Sequence, residues 1–429
     1  MKNNIVILDN GAGSIKAGIA SEIIAEQEVV QLVPNAIVRS RGDKTTYFGH
    51  EIAKCKDFSS LHYRLPFEKG YVVDWDAQKA IWDGVFSQEV LGVNTTESSL
   101  ILTEPYFNLP NIQEIYDQFV FEEYEFSSYH RCTPASLIPH GKLLGMPPPE
   151  CMLIVDSGFS FTHVIPIINS KIVWSAVKRM DVGGKLLTNH LKELVSFRQW
   201  NMMEETYIMN HVKETCCYVS TDFRKDIETI RFDLDTPIVQ KYVLPDMSTS
   251  KKGRLLEPGS MILDSEQVLF MKNERFSVPE ILFRPNDIGK FDLPRIRREI
   301  LPPQFSGLAQ SGLPSTIAES IASLPEDLQP MFWETICLIG GSTKFPGFRE
   351  RLLSELRSLA PMYCEVGIYE SDDPITKAYQ SAQKFATRPD FYNHCLTRAE
   401  YLECGSHGAR RKFRDWKAKF PANEVRVKR

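Results

Sequence analysis

Three short runs of the chain combine acidic residues and glycines in a way that could hold a phosphorylated ligand. Asp9-Asn10-Gly11-Ala12-Gly13-Ser14 is followed two residues later by Lys16, Asp156-Ser157-Gly158 is the second run, and Gly340-Gly341-Ser342 is the third. Backbone N–H groups in a tight glycine turn converge on an anion, and no side chain blocks its approach. A carboxylate in the same turn repels a bare phosphate, so Asp9 and Asp156 make sense with a divalent cation between them and the ligand. Mg²⁺ suits that role, because it keeps several waters while contacting one or two carboxylates and phosphate oxygens. Lys16 would offset phosphate charge as a point cation. Gly340 and Gly341 would let the chain pass closely against a base or ribose.

The elements around these runs repeat. Ile5-Val6-Ile7-Leu8 is a short apolar run that reads as a buried strand ending at Asp9. After the turn, Ile15, Ala17 and Ile19 alternate with Lys16 and Gly18, so the unit is a β-hairpin. A dinucleotide-binding turn would open a helix here and would have a third glycine in place of Lys16. Met152-Leu153-Ile154-Val155 ends at Asp156, and an alternating segment from Phe159 to Ile165 follows. Two aspartates at equivalent points, 147 residues apart, predict two related halves. Ile336-Cys337-Leu338-Ile339 is a third buried strand, ending in Gly340-Gly341. Amphipathic helices are predicted behind Gly183-Gly184, mainly across Glu204 to Phe223, and from Phe348 to Leu359. The stretches Leu301 to Pro314 and Tyr242 to Gly259 read as loops.

Composition sets the class. Of 429 residues, 43% are hydrophobic and 24% charged, the balance of a chain with a packed core. The net charge of -5 argues against a general polyanion binder. No apolar run reaches membrane-spanning length, and the four apolar residues before Asp9 are too few for a signal-peptide core. The 9 cysteines show no framework or zinc-ligand spacing, which predicts free thiols in a reducing compartment. Residues 410–429 carry nine Lys/Arg against Asp415 and Glu424. This basic extension is a candidate contact for DNA or an acidic surface. Phe413, Trp416 and Phe420 within it have helical spacing.

These residues carry a resemblance that covers essentially the whole chain. Asp9 to Gly18 resembles the first phosphate loop of the actin family, and Val155 to His163 resembles the second. Ile339 to Gly347 is similar to that family's adenosine motif. Lys213-Glu214, with Cys217-Tyr218-Val219 and Asp222-Phe223, matches the helix that contacts ribose and base. Leu102-Thr103-Glu104-Pro105 and Leu396 to Tyr401 also fit. Within the family, Phe121 to Phe126, Val182 to Glu193, Asn273 to Glu280 and Phe345 to Arg349 resemble a nuclear branch of the actin-related proteins.

The resemblance implies an α/β actin-like fold: two related RNase H-like lobes around a central nucleotide cleft. The first, smaller lobe would comprise 1–140 with 365–409, and the second 141–364. The cofactor would be ATP or ADP with Mg. Asp9, Gly11, Ala12, Gly13, Ser14, Lys16, Asp156, Ser157, Gly158, Gly184, Lys213, Glu214, Gly340, Gly341, Ser342 and Phe345 would bind it, with Asp9 and Asp156 holding the metal through water. The branch implies a structural subunit of a nuclear SWR-type chromatin remodeller, which exchanges a core histone for its variant. Its partners would be the remodeller ATPase and a zinc-HIT subunit, with nucleosomes contacted indirectly.

Departures from the actin pattern shape the expected activity. Only Ser40 to Phe48 separate Arg39 from Gly49, where actin has the longer loop that grips the next filament subunit. Phe159 stands where the family has a further aspartate, and Ser160 where it has a glycine expected at positive φ. Thr133-Pro134 lacks the glutamine near the attacking water, while His163 remains. Tyr379-Gln380-Ser381-Ala382 replaces an aromatic followed by Gly-Gly on the adenosine side. Losing one positioned polar group costs about 10²–10³ in rate at such sites. The expectation is therefore a nucleotide-stabilised scaffold with little hydrolysis. The alternatives are an active actin-fold ATPase and a filament-forming cytoskeletal protein.

Overall fold

A computed structural model of the chain describes residues 4–20, 30–40, 42, 44–55, 61–232, 236–246, 252–257, 260–262, 266–288 and 308–413. Two mixed sheets, each opened by a hairpin, organise the fold. In the first, Asn4–Asn10 pairs antiparallel with Ser14–Ala20 and parallel with Ser98–Thr103. Ser98–Thr103 then pairs parallel with Ser128–Cys132, which also takes Leu396–Thr397 antiparallel. In the second, Cys151–Ser157 pairs antiparallel with Thr162–Ile168 and parallel with Ile336–Ile339.

The predicted repeat is thus present in the backbone. In both sheets the first strand carries an aspartate as its next-to-last residue, turns, and returns beside itself. Both first strands are central, with neighbours on either side, so a continuous apolar run suits them better than alternation. Val6, Ile7 and Leu8 are completely buried, as are Leu153, Ile154 and Val155.

Several expectations need adjustment. The strand Ile368–Glu370, assigned above to the first lobe, pairs with Ile336–Ile339 and extends the second sheet. The helix expected across Glu204 to Phe223 is interrupted. Thr206–Cys216 and Phe223–Phe232 are separate helices, and Arg275 occupies the corner with its Nε donating to the Cys216 carbonyl. The loop expected from Tyr242 contains a hairpin, Gln240–Val243 with Arg254–Leu255. Residues 301–307 of the other expected loop lie outside the described residues, and the helix Leu313–Ala322 begins just before its predicted end.

Ile37–Ser40 and Thr46–Phe48 pair directly, and the Ser40 N–H donates to the Thr45 carbonyl. The stretch that is long in actin is here a short hairpin connection. Among the described residues no helix is long and apolar enough to cross a membrane. All 9 cysteines are free thiols.

The first lobe is bolted by a buried charge cluster. Arg131, 2% exposed, donates to Asp117 at 2.6 Å and to the Gln113 carbonyl at 3.1 Å. Its Nε lies 3.4 Å from Glu104, which also accepts from Asn108 and Gln113. Phe413 lies over the Arg131 guanidinium and edge-on to Tyr129. Phe413 is therefore docked on this lobe, as the last described residue of the helix Ser406–Phe413, and Arg410 pairs with Glu114. Trp416, Phe420 and the rest of the basic extension lie outside the described residues. Removing one member of a buried ion cluster strands the others in a medium of low dielectric. Arg131→Met should lower stability by about 3–5 kcal/mol, read as a shift of the first unfolding transition in urea.

Candidate nucleotide cleft

The two hairpin turns face each other across a cleft of about 1390 Å³. Every sequence-predicted site residue except Ser157 lines it: Asp9, Gly11, Ala12, Gly13, Ser14 and Lys16 from the first lobe, and Asp156, Gly158, Gly184, Lys213, Glu214, Gly340, Gly341, Ser342 and Phe345 from the second. Ser157 is the exception for a simple reason. Adjacent residues of a strand point to opposite faces, so with Asp156 in the cleft Ser157 points into the core. It is fully buried there, and its hydroxyl is 2.9 Å from that of Thr162.

The first loop is held from behind. Asn35 donates from Nδ2 to the Gly11 carbonyl at 3.0 Å and from its backbone N–H to the Gly13 carbonyl at 3.2 Å. Asn10 N–H donates to Thr103 Oγ1, and Trp82 Nε1 donates to Asn10 Oδ1. Asp9, 5% exposed, accepts from Thr103 Oγ1 at 2.7 Å and has Lys16 Nζ 3.3 Å from its other oxygen.

Asp156 is held differently. Tyr106, which sequence reasoning missed, donates its hydroxyl to Asp156 Oδ2 at 2.8 Å and accepts from the Ala135 N–H at 3.1 Å. Tyr106 directly follows the Thr103-Glu104-Pro105 segment, which is the only signal that could have found it. Desolvation pushes the Asp156 carboxyl up to about 6; the Tyr106 hydrogen bond opposes this, and the nearby Asp9 charge adds to it. Burial and the Asp156 charge raise the Tyr106 hydroxyl well above its ordinary range.

Lys213 is 5% exposed and satisfied internally, donating to the Gly184 carbonyl, Thr188 Oγ1 and Asn210 Oδ1 at 2.9–3.2 Å. Its burial lowers its pKa. It therefore anchors the start of the helix Gly184–Arg198 and leaves the exposed Glu214 as the neighbouring polar group on the cleft wall. Gly340 is required by its geometry. Its φ is +92°, and a Cβ there would stand 2.4 Å from the Ser157 carbonyl oxygen.

His163 is 7% exposed, and desolvation, with a smaller push from Arg179, pulls it down to about 3, so it is neutral. Its ring packs against Tyr106 and Phe161, and its Nε2 is buried without a hydrogen-bond partner. Thr133 does not line the cleft. Its carbonyl accepts from Ser136 at the start of a short helix.

Two expectations about departures are corrected. Ser160 is not at positive φ, so the predicted backbone strain there is missing. Ser381 does not face the adenosine side. It is fully buried beside Gly141, and the cleft wall in that stretch comes from Pro374, Ile375 and Ala378. Among the described residues no three His, Cys, Asp or Glu side chains cluster as a metal site. Asp9 and Asp156 together fit a hydrated divalent ion, because two neighbouring carboxylates are relieved by a cation.

The raised Asp156 pKa has a definite sign. The ordinary value of 3.8 applies to the unfolded chain, so the folded state holds the proton longer. Stability then falls as pH rises between about 4 and 6, and the full penalty of ionisation applies above that window. Asp156→Asn should stabilise the ligand-free protein by about 1 kcal/mol at pH 7, after allowance for solvent screening. The gain should vanish below pH 4, as thermal melts across pH would reveal.

Comparison with known proteins agrees with this geometry. The family described as Actin matches residues 1–414. The chain is 47% identical to "Actin-like protein ARP6" of Cryptococcus neoformans, over 95% of this chain and 84% of that protein. It is 34% identical to "Actin-related protein 6" of Drosophila melanogaster, over 95% of this chain and 99% of the fly protein. It is 36% identical to the Arabidopsis thaliana protein of the same name, over 96% and 99% respectively. With paired hairpins around one cleft and this similarity along nearly its full length, the chain belongs to the actin family, in its actin-related protein 6 branch.

Proposed function

We propose that the chain is a non-filamentous structural subunit of a nuclear SWR-type chromatin remodeller, the machine that exchanges a core histone for its variant in nucleosomes. In this reading it clamps the remodeller ATPase together with a zinc-HIT subunit, and it meets nucleosomes indirectly. Residues 410–429 add a basic contact for DNA or an acidic neighbour. The cleft holds ATP or ADP with Mg as a structural ligand, with little or no turnover.

One observation carries the non-enzymatic part: the cradle keeps its glycines and its two aspartates, while Phe159 stands in place of a further carboxylate. Asp9 and Asp156 would hold the hydrated ion, which would neutralise phosphate charge. Lys16 adds a point cation, and Glu214 faces the nucleoside end. His163, neutral and packed against aromatic rings, has no adjacent glutamine with which to position a water. A bound nucleotide then acts through affinity alone: at a hundredfold over its Kd it adds about 2.7 kcal/mol of stability. The short connection between Ile37–Ser40 and Thr46–Phe48 supports the non-filamentous part, since it provides no long loop to grip a neighbouring subunit.

Four measurements test this reading. Denaturing the purified protein and chromatographing the supernatant should release adenine nucleotide; none would remove the cofactor. ATP turnover should stay below about 0.1 per second, under ordinary enzyme rates. Sedimentation with ATP and Mg²⁺ should leave the protein in the supernatant. Affinity purification from nuclear extract should recover a remodeller ATPase and a zinc-HIT protein, and their absence would sink the complex assignment.

A further inference from the structure

Phe159 does more than remove a carboxylate. Its ring reaches across the cleft to the first lobe. A Cβ built on Gly13 would stand 2.9 Å from Phe159 Cγ, 3.0 Å from Cδ2 and 3.1 Å from Cβ. Nothing fits between the two loops at that point. On its other side the same residue abuts the start of the helix Gly184–Arg198, where a Cβ on Gly184 would be 3.6 Å from Phe159 Cα and Cδ2.

The backbone beneath the ring is pinned. The Phe159 carbonyl accepts from the Lys185 N–H at 2.8 Å, and the Gly158 carbonyl accepts from the Gly184 N–H at 3.0 Å. The Gly158 N–H closes its own turn on the Phe161 carbonyl. Within the second lobe, only rotation of the side chain can therefore clear the gap without breaking these bonds. The ring fills the space beside Gly13, so no phosphate can lie between them while the ring holds this position.

We infer that Phe159 is a latch between the lobes: its ring occupies the path of a polyphosphate between Gly13 and Gly184 and holds the cleft shut until a nucleotide displaces it. This rests on the reading of the cleft as a nucleotide site. An adenosine polyphosphate enters only when the ring swings out, so its apparent affinity is reduced by the fraction of molecules with the ring displaced. Lobe closure, which a scaffold needs, is then supplied by the chain itself.

The test uses the full-length chain and four variants: Phe159→Ala, Phe159→Asp, Gly13→Ala and the double variant Gly13→Ala with Phe159→Ala. Thermal melts are run without ligand, and binding of MgATP and MgADP is measured by titration calorimetry. Phe159→Ala should melt below wild type without nucleotide and bind MgATP more tightly, by about tenfold if the ring is displaced in a tenth of wild-type molecules. Phe159→Asp should bind MgATP more tightly as well, so the affinity readout survives if the alanine variant does not fold. Gly13→Ala should lower the melting temperature in wild type, because the new methyl meets the ring, and should cost little once Phe159 is alanine. Equal MgATP affinity in wild type and both Phe159 variants would overturn the latch while leaving the nucleotide site standing. An additive thermal cycle would overturn the contact itself. No nucleotide binding to wild type or either variant would overturn the nucleotide reading of the cleft, and the competition with it.

Discussion

Two carboxylates face each other across the floor of the cleft, and the surrounding structure must keep these like charges in place. Asp9 is held by Thr103 and Lys16, whereas Asp156 relies on the Tyr106 hydroxyl and carries a desolvation penalty. Both aspartates terminate buried central strands, so neither can move without disturbing a sheet. The hairpins, the parallel partners behind them and the Asn35 brace are the means by which two separate sheets present charge at one point. A cation would relieve the repulsion directly. The Tyr106 hydroxyl and Lys16 do so in part.

Around this floor, a cradle-shaped backbone is lined by side chains that depart from the actin pattern. The glycine turns and the close approach of Gly340 retain the shape of a cradle for an extended anionic ligand. Thr133 stands at the N-terminal end of a short helix and outside the cleft lining, and His163 is desolvated among aromatic rings. A site can keep its binding shape while losing its catalytic groups, because shape is set by backbone and packing whereas catalysis needs individual side chains at fixed points.

Much of this was legible in the residues. Unbroken apolar runs ending in Asp9 and Asp156 identified the two central strands, and the alternation after Gly13 distinguished a hairpin from a helix-opening turn. The inward direction of Ser157 was also available, since a residue next to Asp156 on a strand must point the other way. The direction of the Phe159 ring was not. Its contact with Gly13 joins residues far apart in the chain, and nothing in the local pattern of either loop encodes it. The interruption after Cys216 was hidden for a similar reason: Arg275, from a distant segment, takes the carbonyl at the corner. The strand Ile368–Glu370 was assigned to the other lobe on the resemblance alone, since a three-residue strand has no period to read.

Gly340 imposes a mechanical condition on the whole molecule. Its backbone lies so close to the Ser157 carbonyl that the turn after Ile339 and the turn after Asp156 cannot slide past each other. They are further joined by the parallel pairing of Asp156 with Ile339. The second lobe therefore presents its base-side and phosphate-side walls as one rigid jaw. Apart from the swing of the Phe159 ring, opening of the cleft would then be a rotation of that jaw against the first lobe, and its signature would be a change in lobe angle with the backbone inside each lobe left unaltered.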